Sequence, residues 1–258
     1  MKMIAQGIDV SKHQGTIDWV TVKNSGKVDF AILRAGYGNG TKDTMFERNY
    51  LECKKNGIPV GAYWYLYATT AKGALEEAKA FEQVLYGKQI DLPIFLDIEE
   101  KKTFDSGNAS EIVDTFCSYL ESKGFYIGVY CSKYYLNTYL PRITSRWAGW
   151  VAQWSEKCTF SQPYLIWQKT EKGKAPGVTG RVDIDEFHED GMFENVQNFI
   201  HRQGMNGYAK QIVDTEDAAP KAAKKRIQLI VDDTFFHMKA KERIQLIIDD
   251  ESVYDNFF

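Results

Sequence analysis

Short apolar runs rich in β-branched and aromatic residues recur along the first half of the chain, at Ile4–Val10, Phe30–Ala35, Val60–Leu66, Pro93–Ile98 and Tyr126–Cys131. Between them lie segments whose apolar positions fall three and four apart, at Asp18–Ser25, Met45–Asn56, Ala71–Tyr86 and Ala109–Lys123. The first kind predicts buried strands and the second amphipathic helices. Gly57 and Gly124 stand just past two of the helical segments, where glycine stops a helix. Strands alternating with helices imply parallel pairing through crossovers.

After Cys131 the pattern changes. One more helical stretch, Lys133–Leu140, precedes three strand-like runs with little helix between them: Trp150–Trp154, Tyr164–Lys169 and Val182–Phe187. Eight strand candidates and about five helices predict an irregular TIM-like β/α barrel whose second half has lost helices, with an open doubly wound sheet as the alternative. The barrel domain is expected to span residues 1–200. A polar stretch over 201–225 reads as a linker, and 226–258 as a small C-terminal appendage. That appendage repeats itself, RIQLIVDD (226–233) against RIQLIIDD (243–250). On one continuous helix an offset of 17 residues would rotate the second copy by about 260°, so two short elements fit better. It is expected to bind wall, to self-associate, or to pack on the barrel.

Composition narrows the field. The 258 residues are 44% hydrophobic, enough to bury one large core, and the net charge of −3 gives no field for a nucleic-acid partner. No apolar run reaches the roughly 18 residues of a membrane span, and the N-terminus shows no secretion signal. Cys53, Cys117, Cys131 and Cys158 show neither CxxC nor metal-ligand spacing and read as reduced packing residues of a protein made in a reducing cytosol. Motifs for a metal, a phosphate or a dinucleotide are absent, so neither metal nor cofactor is expected.

The chemistry lies in acids near strand ends. Asp97 and Glu99 close the run beginning Pro93-Ile94-Phe95, and a spacing of two puts both side chains on one face of a strand. Crowded carboxylates repel when both ionise, which leaves one as an acid and the other as a base at neutral pH. Glycosidic cleavage needs that division of labour. Asp9 closes the first strand, while Asp183 and Asp185 punctuate the last. In a closed barrel the first and last strands are neighbours, so these acids should share a mouth with the pair.

Gly7-Ile8-Asp9-Val10-Ser11, Gln14-Gly15, Ile17-Asp18-Trp19 and Phe30-Ala31-Ile32-Leu33-Arg34-Ala35-Gly36 resemble the opening of the family 25 glycoside hydrolases, the Ch-type lysozymes. Gly61-Ala62-Tyr63-Trp64-Tyr65, Phe95-Leu96-Asp97-Ile98-Glu99, Gly128-Val129-Tyr130, Trp150-Val151-Ala152-Gln153-Trp154, Ile166-Trp167-Gln168 and Val182-Asp183-Ile184-Asp185 are similar to its later blocks, in order. The resemblance covers about residues 4–190. It implies an irregular β/α barrel that hydrolyses the β-1,4 bond between N-acetylmuramic acid and N-acetylglucosamine. The proton donor falls on Glu99, its partner carboxylate on Asp97, and the outer acids on Asp9 and Asp183. Two departures, Tyr63-Trp64-Tyr65 for Tyr-His-Phe and Asp185 for Asn, are expected to alter sugar contacts.

Other residues have two readings each. Tyr63, Tyr65, Tyr130, Trp154 and Trp167 are either subsite walls or core. Lys12 and Arg34 are either substrate contacts or, respectively, loop solvation and an ion pair to Asp9 or Asp97. Peptidoglycan is the expected partner, with no membrane and no nucleic acid. A phage endolysin, made in a host cytoplasm without a signal peptide and acting on the wall after release, is the expected setting. A chitinase-like hydrolase and a non-catalytic wall-binding protein are the alternatives.

Overall fold

The computed structural model describes residues 5–188. The linker, the repeat-bearing appendage and the end of the expected first domain (189–200) lie outside the described residues.

Nine strands form one sheet: β1 (Ala5–Val10), β2 (Phe30–Tyr37), β3 (Thr41–Lys42), β4 (Val60–Tyr65), β5 (Ile94–Asp97), β6 (Ile127–Ser132), β7 (Ala148–Ala152), β8 (Ile166–Gly173) and β9 (Val182–Phe187). Their order is β1-β9-β8-β7-β6-β5-β4-β2-β3, and pairing of β1 with β2 closes eight of them into a barrel. The two-residue β3 hangs on the end of β2. The barrel is therefore the architecture adopted, not the open sheet.

Seven α-helices lie among the described residues: α1 (Trp19–Asn24), α2 (Phe46–Lys55), α3 (Ala71–Leu85), α4 (Lys101–Asp105), α5 (Ala109–Ser122), α6 (Lys133–Tyr139) and α7 (Ile143–Arg146). Five match the expected segments. The additional α4 and α7 are single turns, too short to show a period in the sequence. In α3, Thr70 caps the N-terminus by accepting from the Gly73 N–H. Its buried face of Ala74, Ala78, Phe81 and Leu85 repeats at three and four residues against the sheet.

The barrel is not wholly parallel, which corrects the sequence reading. β9 runs antiparallel to both β8 and β1. Only residues 174–181 join β8 to β9. A parallel return needs a crossover of about a dozen residues or more, so the chain turns straight back. This reversal positions the site. Asp183 stands at the beginning of β9 and pairs in register with Asp9 near the end of β1. Had β9 run parallel, Asp183 would sit at the far end of the barrel.

Alternation sorts the side chains into two layers. Phe30, Ile32, Phe95, Trp150, Ile166 and Phe187 fill the barrel, while Ala31, Leu33, Leu96, Val151 and Trp167 face the outer layer. The inner rings need room: a methyl at Gly7 would come within 2.3 Å of the Phe30 ring. Aromatic packing thus closes the barrel below the acids. Cys53, Cys117 and Cys131 are buried and Cys158 is half-buried, all four with free thiols.

Candidate active site

A cavity of about 330 Å³ opens at the mouth formed by the C-terminal ends of the parallel strands. Asp9, Asp97, Glu99, Asp183, Arg34, Tyr63, Tyr65, Tyr130 and Trp154 line it, together with Ser11, His13, Gln14, Trp150, Gln168 and Glu171. β5 and β9 are four strands apart in the eight-stranded ring. Asp97 and Glu99 therefore face Asp183 across the opening.

The acids differ in depth. Asp97, the last residue of β5, is 5% exposed, whereas Glu99 lies two residues beyond the strand and is half-buried. The Ile98 N–H still donates to the Tyr130 carbonyl at 3.1 Å, so the strand geometry extends far enough to keep both carboxyls on the cavity side. Asp9 is 5% exposed and Asp183 half-buried, so each wall carries one deep acid and one near the rim.

Gln168 locks the floor. Its Nε2 donates to Asp9 Oδ2 at 2.8 Å, and its Oε1 accepts from the Tyr130 hydroxyl at 2.9 Å and from Trp154 Nε1 at 3.1 Å. An indole N–H can only donate, so the contact with Trp154 fixes which end of the amide is the oxygen. The buried carboxamide thus holds Trp154, which is 56% exposed, beside the acids. Across the mouth, the Tyr65 hydroxyl donates to Glu100 Oε1 at 2.8 Å.

Three expected site residues lie elsewhere. Trp167 falls on the outer face of β8, where its Nε1 donates to the Gln153 carbonyl at 2.7 Å. Period-two alternation sends Gln168, not Trp167, inward. Asp185 is fully buried behind Trp150 and accepts from its Nε1 at 2.8 Å, so it supports a cavity wall without reaching the cavity. Lys12 is exposed outside the cavity, with Nζ 3.2 Å from the Tyr37 hydroxyl. Arg34 does line the cavity, but its ion-pair partner is Asp43, at 2.8 Å, and not Asp9 or Asp97. Trp64 also faces outward, donating to Glu77 Oε2 at 3.0 Å, so the Trp-for-His part of that departure does not touch the cavity, whereas Tyr65, its Tyr-for-Phe part, lines it.

Electrostatics follow from depth and crowding. Burial first, then Asp185 and Asp183, hold the Asp9 carboxyl well above the usual range. Burial and then Glu99 raise Asp97, against the pull of Arg34. Burial raises Glu99, and Glu100 and Asp183 add to it while the Tyr65 hydroxyl opposes. Burial, then Glu171, pushes Asp183 up to about 6.

Such groups bind protons more tightly folded than unfolded. Their contribution to stability is complete below the ordinary carboxylate range and is lost as pH rises, for Asp183 through about 6. Asp183→Asn removes that loss. Its melting temperature is expected to exceed wild type by at least about 2 °C at pH 8 and to match it at pH 4, measured by calorimetry. The same substitution withdraws a charge that helps keep the proton on Glu99, so an alkaline limb set by Glu99 should move to lower pH. A melting difference independent of pH would contradict this account of the cluster.

Comparison with known proteins agrees with the geometry. A family model described as glycosyl hydrolases family 25 matches residues 8–178, more than half of the chain. An uncharacterised Escherichia coli protein, YegX, is 29% identical over 201 residues, covering 75% of this chain and 72% of its own. Lysozyme M1 of Streptomyces globisporus is 29% identical over 204 residues, covering 71% and 67%. The crystal structure of a bacterial lysozyme from Streptomyces coelicolor superposes with a TM-score of 0.65 at 25% identity, covering 75% of this chain and 97% of that one. A barrel mouth lined by opposed carboxylic acids and carrying this family's sequence has one classification: the chain belongs to glycosyl hydrolases family 25 and is a glycoside hydrolase.

Proposed function

We propose that the protein is an N-acetylmuramidase, hydrolysing the β-1,4 bond between N-acetylmuramic acid and N-acetylglucosamine in peptidoglycan, with Glu99 as proton donor. The observation that carries this reading is the pairing of a half-buried Glu99, its proton held by burial and neighbouring charge, with a deeper Asp97 on the same wall. Glu99 stands where a glycosidic oxygen crossing the mouth would meet it. Burial alone would leave the pair's shared proton on the deeper Asp97. The Arg34 guanidinium, lining the same cavity, pulls the other way, while burial and Glu99 still hold Asp97 well above the usual range.

Asp97 then steadies the positive charge that develops as the bond breaks. The attacking group is the substrate's own acetamido oxygen, because two acids on one strand wall leave no room for water between them and the sugar. Tyr63 and Tyr130, with hydroxyls buried at the cavity wall, and Trp154 at its rim are the proposed sugar contacts. Asp9, fixed by Gln168, and Asp183 supply the opposing field.

A second reading is carried by the position of Asp183. Four strands round from β5, it faces Glu99 and is placed to activate a water from the opposite side of the sugar. Substrate assistance gives retention at the anomeric carbon and the water route gives inversion.

The phage-endolysin setting is proposed on the family resemblance, the linker over 201–225 on its polar composition, and self-association through 226–258 on the repeat. Incubating the protein with purified peptidoglycan and with chitin separates the hydrolase readings. New reducing ends are expected from peptidoglycan and not from chitin. Comparable release from chitin would favour the chitinase-like alternative, and release from neither would favour a wall-binding role.

A further inference from the structure

The rim carries a second aromatic surface outside the cavity. Tyr67, two residues past the end of β4, is 51% exposed, with its ring centroid 5.2 Å from that of the cavity-lining Tyr65. Tyr37 ends β2 with its ring 6.1 Å from that of Tyr67. Lys12 comes from the short 3-10 turn after β1, its ammonium 3.2 Å from the Tyr37 hydroxyl and 5.1 Å from the ring centroid. Strands β1, β2 and β4 are consecutive neighbours, so the three residues share one sector of the rim. Trp154 lies between β7 and β8, and β8 is four strands from β4 in the ring. The two half-exposed rings thus stand on opposite sides of the mouth, with Glu99 and Asp183 between them.

This sector is built rather than incidental. A methyl at Gly38, whose φ is +55°, would come within 2.5 Å of the Tyr67 ring, so the ring lies where only glycine lets it lie. Asp43 accepts from the Lys12 backbone N–H at 3.0 Å and is neutralised by Arg34. Among the described residues, no carboxylate lies within ion-pair distance of the Lys12 ammonium, and its hydrogen-bond partner is the neutral Tyr37 hydroxyl. An exposed ring and a cation without an anion, continuous with a glycosidase cavity, suit a sugar that carries a carboxylate.

We propose that Tyr67, with Lys12 held beside it by Tyr37, forms a distal subsite: a saccharide ring of a long glycan strand lies on the Tyr67 face, and a carboxylate of its peptide arm meets the Lys12 ammonium. The proposal rests on the muramidase reading and extends it. The cavity of about 330 Å³ holds only the sugars around the cleaved bond, whereas a polymer must leave the mouth on both sides. Trp154 accounts for one exit and Tyr67 for the other. The apolar C–H face of a pyranose covers a tyrosine ring, and the peptide arm brings its anion to the rim.

Binding is measured in the Glu99→Gln background, where strands stay uncut, by titration calorimetry. The probes are long peptide-bearing glycan strands, the same strands with their carboxylates amidated, and short fragments that fill only the cavity. Adding Tyr67→Ala is expected to weaken binding of long strands roughly 3- to 10-fold and leave short fragments unchanged. Lys12→Met, which keeps the stem and removes the charge, should weaken native strands roughly 2- to 5-fold and leave amidated strands unchanged. In the active enzyme, both substitutions should leave cleavage of short fragments at the wild-type rate, which also shows that the fold is intact. Long-strand affinity unchanged in both variants, or equal losses on long strands and short fragments, would overturn the distal subsite. A wild-type protein that binds strands in this pattern yet cuts none would refute the muramidase reading and leave the subsite standing.

Discussion

Glu99→Gln is expected to lower muramidase kcat by about 10²- to 10⁴-fold while leaving the protein folded. Glutamine keeps the size of the side chain and leaves the Tyr65–Glu100 hydrogen bond in place, but it has no proton to transfer to a leaving oxygen. Burial, Glu100 and Asp183 hold that proton on Glu99 at a pH where an isolated glutamic acid has lost it. Binding should persist, because the amide preserves the shape and the neutrality of the protonated acid. Removing a carboxyl with a raised pKa should also stabilise the fold as pH rises, so the melting temperature at pH 8 should not fall. Steady-state kinetics and calorimetry on one preparation check both halves. A variant retaining more than a tenth of wild-type activity would remove Glu99 from the donor role.

Asp97→Asn is the second large effect, expected at about 10²- to 10³-fold in kcat with little change in KM. Asp97 lies deep in the mouth, 5% exposed, where little water screens its charge. A charge in that position acts mainly on the transition state, where the anomeric centre becomes cationic, and hardly on the neutral ground state. Asparagine retains the packing and loses that interaction. Equal falls in kcat and in affinity for uncut strands would assign Asp97 to ground-state binding instead. Substrate assistance also predicts retention of configuration, whereas inversion would give Asp183 the role of base.

The strands were legible because both faces of the barrel wall are buried, which makes near-continuous apolar runs. The acids were legible because Asp97, Glu99, Asp9 and Asp183 stand at positions an apolar wall does not otherwise tolerate. Strand direction was not legible: a run such as Val182–Phe187 reads alike either way, and only the short 174–181 connection carries the signal. Trp167 shows a related limit. Its place late in a strand suggested a subsite wall, but the alternation that turns Ile166 and Gln168 inward turns it outward. Gln168 went unassigned because a lone glutamine has no distinctive spacing, and its role appears only where β1, β6 and the segment after β7 meet. Arg34 has two readings in the sequence, a sugar contact or an ion pair to Asp9 or Asp97; its ion-pair partner is instead Asp43, in the segment between β3 and α2. Ser11, His13 and Gln14 enter the cavity from the turn after β1 and Glu171 from near the end of β8, places whose paths the pattern of apolar positions does not set, while Trp150 comes from the middle of β7.

The most direct measurement is the identity of the sugar at each newly formed reducing end. Purified peptidoglycan is digested with the wild-type protein, the products are reduced with borohydride, and the terminal sugar alcohols are identified by mass spectrometry. The account predicts that new ends are the alcohol of N-acetylmuramic acid, and that Glu99→Gln protein releases almost none. Ends reduced to the alcohol of N-acetylglucosamine would mean that the other glycosidic bond is cut and would contradict the central claim.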